Sequence, residues 1–289
     1  MDNCRMPSDL PVPPTSPPLV HAAFYRFTPI EDPQHVAAVL RRRLSHPGLQ
    51  ELGGSILLAP EGINGTIAGP RDAVQLFEHL LQDPPLGAAL EGMPLRRSGC
   101  RTLPFARMKI HVRREIVQLG VAGVDARFTG IDVSPRDWRQ LMRQEDVVLL
   151  DNRNSFEFRL GHFQGAIDPQ VTNFRDFPAY VRAHAATWRA QGKRIAMYCT
   201  GGIRCEKTSA WMRTLDLPVY QLQGGILGYF AEMEEAHRDF MGECFVFDNR
   251  VALDTRLQET ATTFDDVYRD APQDSWRLLR ARRLAEAAA

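Results

Sequence analysis

The side chains of this 289-residue chain that are best suited to chemistry lie in one short segment, YCTGGIRCEK, at residues 198–207. The apolar run RIAMY leads into Cys199, and a helix-forming stretch follows Arg204, so the segment predicts a strand, a glycine loop and a helix. The unpaired N–H groups of such a loop and the positive end of the next helix favour a negative centre. A cysteine in this setting has its pKa lowered to about 3.5–7.5. We therefore predict a reactive thiolate at Cys199.

The rest of the loop suits an anion-binding site. The two glycines let the backbone curve inward without Cβ clashes, and the planar guanidinium of Arg204 can hold an oxyanion by two contacts. Cys205 is either a resolving thiol or an ordinary packing residue at the start of the helix. Cys199 could instead be a buried, inert cysteine, but that alternative leaves the glycines and Arg204 unexplained. The predicted catalytic residues are Cys199 and Arg204, and the other predicted loop residues are Thr200, Gly201, Gly202, Ile203 and Cys205.

Buried strands that alternate with helices position this loop. The apolar runs in DVVLLDNR (146–153), KRIAMYC (193–199) and PVYQLQGG (218–225) are typical of strands covered on both faces. Helical stretches between them predict a parallel α/β sheet over residues 134–241. The cysteine loop then lies at the carboxyl edge of the sheet, where open α/β folds bind ligands.

A different pattern precedes this domain. Residues 21–120 have the order β-α-β-β-α-β, which predicts a ferredoxin-like α+β domain of the split βαβ kind. Its predicted strands are 21–27, a hairpin within 53–69 and MKIHVRREIVQLG at 108–120, and its helices are 32–44 and 70–82. Residues 121–133 are predicted to be a linker. The proline-rich residues 1–20 are predicted to be a disordered leader, and residues 242–289 a partly disordered C-terminal extension.

The overall composition excludes several classes of protein. Lys plus Arg equals Asp plus Glu at 35 each, so no global field indicates a nucleic acid. No run approaches the roughly 18 apolar residues of a membrane span, and no signal-peptide core is present, which makes the cytoplasm the expected location. Five scattered cysteines, an odd number, favour reduced thiols over a disulfide framework.

One local segment is strongly basic. Residues 86–114 contain seven basic residues against one acid, Glu91, which favours contact with a phosphate backbone. Phe105 lies among them and is placed to stack on an unpaired base. The alternative is a solvated basic strand face. The predicted RNA-binding residues are Arg96, Arg97, Arg101, Arg107, Lys109, Arg113 and Arg114.

Three motifs of the second half resemble a rhodanese domain. They are CTGGIR, LLDNRNSFEFRLGHFQGAID (149–168) and LQGGILGY (222–229). The resemblance implies a rhodanese-like fold, supporting roles for Asp151, Arg153 and Glu157, and a loop cysteine that carries a persulfide sulfur. Four residues separate Cys199 from Arg204, whereas the related phosphatases keep five, so phosphate-ester hydrolysis is disfavoured.

The whole of residues 21–254 resembles the bacterial tRNA uridine hydroxylase family. The motifs are APEGINGTIAG, FARMKIHVRREIVQLG, CTGGIRCEK and GECFVFDNRVAL. The resemblance implies hydroxylation at carbon 5 of the wobble uridine, with molecular oxygen as co-substrate and Cys199 as the essential cysteine. The implied partner is the tRNA anticodon loop, with no DNA and no membrane.

No further cofactor and no metal site is evident in the sequence. Longer family members continue into a cysteine-containing stretch that could hold a metal, whereas this chain has no cysteine after Cys244. Two other functions stay open at this point. One is a sulfurtransferase that passes sulfane sulfur through a Cys199 persulfide, and the other is a non-catalytic module that binds RNA or a partner.

Overall fold

The computed structural model describes residues 19–286 apart from 102 and 270, with side chains described to residue 283. Most of the predicted leader therefore lies outside the described residues, as do residues 287–289. The last two residues of that leader, Leu19 and Val20, already belong to the first strand.

The N-terminal domain has a five-stranded sheet with helices on one face. Its elements are β1 (Leu19–Phe27), α1 (Pro33–Arg43), β2 (Gly53–Ala59), β3 (Gly62–Pro70), α2 (Arg71–Leu81), α3 (Gly87–Leu90), β4 (Arg96–Cys100) and β5 (Met108–Val112). Helix α1 begins where its sequence predicts, because Asp32 accepts a hydrogen bond from the His35 backbone N–H and Pro33 occupies the first turn. The first four strands in the order β4-β1-β3-β2 form the ferredoxin-like sheet, and β5 is added parallel to β2.

The predicted last strand of this domain was misplaced. The strand that completes the split βαβ pattern is β4, which pairs with β1, whereas residues 108–112 form the extra edge strand and 113–120 are not a strand. Strand β4 escaped prediction because Arg96 and Arg97 replace the apolar alternation expected of a strand.

The two faces of this sheet differ in character. Phe24, Ile56 and Ile67 pack under the helices in one apolar cluster. Alternate residues point to the other face because side chains alternate along a strand. We call this second face the open face; it carries Tyr25, Ser55, Asn64, Thr66, Arg96 and Lys109.

The second domain contains a four-stranded parallel sheet in the order β6 (Ile131–Val133), β10 (Val219–Leu222), β9 (Arg194–Tyr198) and β7 (Val147–Asp151). Its elements are β6 (Ile131–Val133), α4 (Pro135–Leu141), β7 (Val147–Asp151), α5 (Ser155–Leu160), β8 (Gly161–Phe163), α6 (Phe177–Ala190), β9 (Arg194–Tyr198), α7 (Ile203–Met212), β10 (Val219–Leu222) and α8 (Gly225–Glu232). Alternate strand residues pack on opposite sides, Ile195 with α6 and α7 and Ala196 with α4 and α8. The predicted fold class is confirmed. The predicted linker 121–133, however, ends in β6.

The chain from residue 240 onward, which includes the described part of the predicted extension 242–289, contains several regular elements. They are β11 (Phe240–Gly242), β12 (Cys244–Phe245), β13 (Ala252–Leu253), α9 (Phe264–Tyr268) and α10 (Ser275–Glu286). Phe156 of α5 packs edge-on against Phe245 and Tyr268, each at 5.0 Å between ring centres. Arg277 of α10 donates to the Thr172 carbonyl at 2.7 Å and lies over the Phe156 ring. Short 3-10 helices lie at Pro47–Leu49, Phe174–Asp176, Arg213–Leu215, Ala236–Arg238 and Pro272–Asp274.

Candidate active site

Cys199 lies where β9 ends, at the carboxyl edge of the parallel sheet, and its side chain is buried. The loop curls around its sulfur, and the Gly202 backbone N–H donates to Cys199 Sγ at 3.1 Å. Gly202 has φ of 103°, a conformation that a residue with a Cβ rarely adopts. The loop therefore holds the sulfur from the backbone side, as its glycines predict.

Hydrogen bonds and charge lower the pKa of Cys199. Burial raises this pKa, but the Cys205 thiol, the Arg204 charge and the backbone N–H groups of both residues together lower it from 9.0 to about 6. At neutral pH the side chain is therefore mostly thiolate, the form in which cysteine is a nucleophile.

Cys205 supports Cys199 as a hydrogen-bond donor. Burial, and then the hydrogen bond to Cys199, raise the pKa of Cys205 well above its ordinary value, so it keeps its proton at neutral pH. Asn152 Nδ2 lies 3.9 Å from Cys205 Sγ and 3.0 Å from Thr208 Oγ1. Both thiols are free in the structure. The interaction with Cys205 lowers the pKa of Cys199, and both predicted roles of Cys205, resolving thiol and packing residue, stay predictions.

Arg204 does not present its guanidinium fork to the loop interior. Its two terminal nitrogens donate to the two oxygens of Glu157 at 2.9 and 3.1 Å, and the pair is buried. The predicted two-point contact of Arg204 with an oxyanion is thus made with Glu157. Arg204 fixes the loop and supplies charge near Cys199, and the Gly202 N–H is the loop donor that faces the sulfur.

The other two supporting residues form a buried ion pair beneath the site. Arg153 donates to Asp151 at 2.8 Å through Nε and to the Gly161 carbonyl at 2.6 Å, and neither side chain of the pair is exposed. A buried, bidentate pair of this kind holds the end of β7 beside β9.

Helix α8 supports the loop from the other side. The Ile226 and Leu227 N–H groups donate to the Cys199 and Thr200 carbonyls at 3.0 and 3.1 Å. Gly225 has φ of 64°, and a Cβ there would lie 2.5 Å from the Cys199 carbonyl oxygen. This contact explains why a glycine motif follows β10.

The N-terminal domain completes the site from its open face. Arg96 Nη1 donates to the Gly224 carbonyl at 2.7 Å and also to the Gly201 carbonyl. The Tyr25 hydroxyl donates to Glu206 Oε1 at 2.6 Å and lies where a side chain on Gly202 would be. The open face and the cysteine loop thus face each other directly.

A buried lysine joins the domains beside the loop. Lys207 Nζ, in the second turn of α7, donates to both oxygens of Glu61 at 2.8 and 2.7 Å, to Glu115 at 2.5 Å and to the Val117 carbonyl. Glu61 also accepts from the Ile116 N–H at 2.7 Å, and Asn64 donates to the Ile116 carbonyl. We call Lys207, Glu61 and Glu115 the Lys207 cluster.

Comparison with known proteins identifies the family. Residues 19–116 match the UPF0176 acylphosphatase like domain, and residues 134–232 match the rhodanese-like domain. Proteins named tRNA uridine(34) hydroxylase from Brucella ovis and Brucella suis biovar 1 are 42% identical over 246 residues, which is 84% of this chain and 78% and 77% of theirs. The chain belongs to the tRNA uridine(34) hydroxylase family. A solved rhodanese-like domain protein from Staphylococcus aureus aligns at 15% identity and a TM-score of 0.29, over 34% of this chain and 90% of that one, too loose a match to carry an argument.

In this family member the basic residues of 86–114 do not form one surface. Arg96 reaches the cysteine loop, whereas Arg97 points to the opposite face and binds Glu78, its Nε at 2.8 Å. Arg101 binds the Glu259 carbonyl at 2.5 Å. The remaining predicted RNA-binding residues lie on or beside β5 and take part in none of the ion pairs of the described chain; they are Arg107, Lys109, Arg113 and Arg114.

Phe105 is less available for stacking on RNA than predicted. Its ring stacks on His21 at 6.2 Å between centres, and its backbone and Cβ lie against Gly53. No group of three or more His, Cys, Asp or Glu side chains in the described part of the chain is arranged to hold a metal ion. None of the described helices is both long and apolar enough to cross a membrane.

Sequence patterns missed several residues that the fold brings to the site. Tyr25 carries no local signal, because it is one alternate residue of an apolar strand. Glu206 and Lys207 did carry one, since two charged residues follow Cys205 at the start of a helix that becomes largely buried.

Proposed function

We propose that the protein hydroxylates carbon 5 of the wobble uridine of tRNA, with Cys199 as the essential thiolate. The observation that carries the proposal is the Cys199 loop, which lowers the pKa of Cys199 and so favours its thiolate form. The chain that contains this loop is 42% identical to proteins named tRNA uridine(34) hydroxylase. A tRNA substrate also implies a cytoplasmic protein.

The basic side chains on and beside β5 are the proposed contact for the anticodon loop. Lys109 lies on the open face and Arg107, Arg113 and Arg114 lie beside it, and none of the four is neutralised by an acid among the described residues. Unpaired basic side chains are the main source of sequence-independent RNA affinity. An anticodon loop has unpaired bases, which proteins read by stacking and edge contacts.

Molecular oxygen is the proposed source of the new hydroxyl group. Insertion of one atom of O2 leaves the other to depart as water, which requires two electrons and two protons, so an assay must supply a reductant as well as air. With oxygen-18 gas, we expect the label in 5-hydroxyuridine. Label from oxygen-18 water in place of the gas would contradict this part of the proposal and leave the hydroxylation itself standing.

The deciding experiment is nucleoside mass spectrometry on tRNA from a strain that lacks this gene. We expect 5-hydroxyuridine and nucleosides derived from it to fall in the deletion strain, to return with the wild-type gene and to stay low with Cys199→Ser. Cys100→Ser is the matched control, because Cys100 is also buried but lies in β4 outside the loop. Unchanged nucleosides in the deletion strain would refute the hydroxylase proposal.

A sulfurtransferase is the second candidate, supported by the rhodanese-like match and the low pKa of Cys199. The Cys199 thiolate would take the outer sulfur of thiosulfate as a persulfide and release sulfite. Cyanide would then take that sulfur as thiocyanate and leave the thiolate free. Thiocyanate production that is lost in Cys199→Ser, without any change in tRNA nucleosides, would favour this function. RNA binding with neither activity would favour a non-catalytic module.

A further inference from the structure

Phe247 is an exposed aromatic side chain that lies directly on the cysteine loop. Its side chain is 58% exposed, although it sits within a stretch of buried residues. The Arg204 guanidinium carbon lies 5.4 Å from the centre of its ring, which is cation–π distance. The Phe245 ring lies nearly perpendicular to it, at 5.0 Å between ring centres. Arg204 and Phe245 thus hold the Phe247 ring in place, and the rest of the ring is exposed to solvent.

The backbone that carries Phe247 is a tight and strained turn. The Val246 N–H donates to the Val251 carbonyl at 2.9 Å, and the Val251 N–H donates to the Asp248 carbonyl at 3.1 Å. Val251 has φ of 62°, which is a rare conformation for a β-branched residue. Such strain persists only where the surroundings enforce it, and it is concentrated at functional sites.

Contacts from the N-terminal domain enforce this turn. Asp248 and Arg250 are buried and form a bidentate ion pair, at 2.8 and 2.7 Å. Arg250 also reaches Ser98 Oγ at 3.3 Å, and the Asn249 N–H donates to the Pro104 carbonyl at 3.1 Å. The turn therefore bridges the open face and the cysteine loop, and Phe247 is its outward side chain there.

An unpaired base fits this position better than a protein surface does. The exposed aromatic area is a single ring, whereas a stable protein interface needs a broad complementary surface. The stretch that accepts the Asn249 hydrogen bond continues into Arg107 and Lys109, which make no ion pair among the described residues. Aromatic side chains beside basic ones are the usual design for holding single-stranded nucleic acid.

We propose that Phe247 is a base-stacking residue that holds an unpaired base of the anticodon loop beside the Cys199 loop. This inference rests on the proposed function, since it supposes an RNA substrate. Arg204 orients the ring from below, and the strained turn keeps it in place before RNA binds. Phe247 thereby positions the substrate and takes no part in the chemical step.

The first test measures the affinity for an RNA hairpin with the anticodon stem and loop and a wobble uridine. The Cys199→Ser protein is used, so that no turnover occurs. We expect Phe247→Ala to raise Kd by about 5- to 150-fold, since stacking contributes about 1–3 kcal/mol per base. Phe128→Ala is the matched control because Phe128 is also exposed, at 65%, but lies in the segment between the domains.

Salt dependence separates stacking from phosphate contact. A plot of log Kd against log salt for Phe247→Ala should run parallel to that of the parent protein, displaced to weaker binding. Lys109→Gln should reduce the slope by about 0.7–1, as expected for one lost phosphate contact. A reduced slope for Phe247→Ala would contradict the stacking role.

Conservative variants guard against a purely structural effect. Phe247→Leu keeps an apolar side chain over Arg204 but removes the aromatic face, whereas Phe247→Trp keeps the face. We expect the Leu variant to bind weakly and the Trp variant to bind at least as well as the parent. Equal binding by Leu and the parent would overturn the inference.

The failures of the two proposals are distinguishable. If the wild-type protein hydroxylates tRNA and Phe247→Ala leaves the KM for tRNA unchanged, the stacking role alone is refuted. Absence of both RNA binding and hydroxylation in the wild-type protein would refute the proposed function, and the stacking role with it.

Discussion

The charge state of Cys199 is set by its immediate neighbours in the loop. Burial opposes ionisation, so the low pKa depends on the hydrogen bond from Cys205 and the charge of Arg204. The sequence could predict a reactive cysteine here, because strand, glycine loop and helix are local features. It could not predict that Glu157 would accept both hydrogen bonds of the Arg204 guanidinium, since that contact joins residues 47 positions apart.

We predict that the thiolate absorbance of Cys199 titrates with a midpoint near its pKa of about 6. The thiolate is lost as the pH falls through this value and is fully formed well above it. Cys205→Ala removes a hydrogen bond that favours the thiolate, so the midpoint should rise. Cys205→Ser keeps an O–H donor and should shift it less. The Cys199→Ser spectrum serves as the baseline, and an unchanged midpoint in Cys205→Ala would contradict the assignment.

Strands differ in how clearly their sequences reveal them. The buried strands β7, β9 and β10 were predictable, because continuous apolar runs mark strands covered on both faces. Strand β4 was not, since its side chains are half-exposed or bind partners far along the chain. Strand β6 was not predictable either, because it has only three residues and its Ile131 is exposed, so it shows no apolar run.

Strand β4 offers a direct test of how the N-terminal domain supports the cysteine loop. Arg96 and Arg97 are adjacent, but Arg96 binds the Gly201 and Gly224 carbonyls and Arg97 binds Glu78 on the opposite face. We expect Arg96→Met to lower the free energy of unfolding by about 1.5–3 kcal/mol, since hydrogen bonds from charged groups contribute about that much. Amide exchange in residues 199–202 should also become faster.

Arg97→Met is the internal control for this prediction. It removes an exposed ion pair, which contributes about 0–1 kcal/mol, and it should leave exchange in the cysteine loop unchanged. Equal protection of the loop amides in both variants would show that Arg96 does not support the loop.

At the scale of the whole molecule, two domains that lie face to face both contribute residues to the site. The residues that hold them are far apart in sequence: Tyr25 and Glu206 are 181 positions apart, and Lys207 and Glu61 are 146 apart. The periodicity of apolar residues in a sequence cannot reveal such long-range pairs. Within the hairpin predicted over residues 53–69, Glu61 and Asn64 bind Ile116 in the segment that connects the domains.

The Lys207 cluster is a deeply buried ionic contact between the two domains. The side chain of Lys207 is 2% exposed, and those of Glu61 and Glu115 are 22% and 23% exposed. Lys207→Met would leave two carboxylates facing each other without their shared cation. We expect the free energy of unfolding to fall by about 3–5 kcal/mol, the usual cost of removing one partner from a buried ion pair. Denaturant unfolding followed by fluorescence and circular dichroism measures this loss.

Two further variants test whether the loss comes from the missing cation. Lys193→Met is the control, since Lys193 donates only to an exposed backbone carbonyl, that of Glu145. Glu61→Gln combined with Glu115→Gln in the Lys207→Met protein should recover part of the stability, because the carboxylate repulsion is gone. If the domains depend on this contact, Lys207→Met should also separate the unfolding curve into two transitions. A single transition at the wild-type midpoint would mean that other contacts, such as those of Tyr25 and Arg96, suffice to hold the domains together.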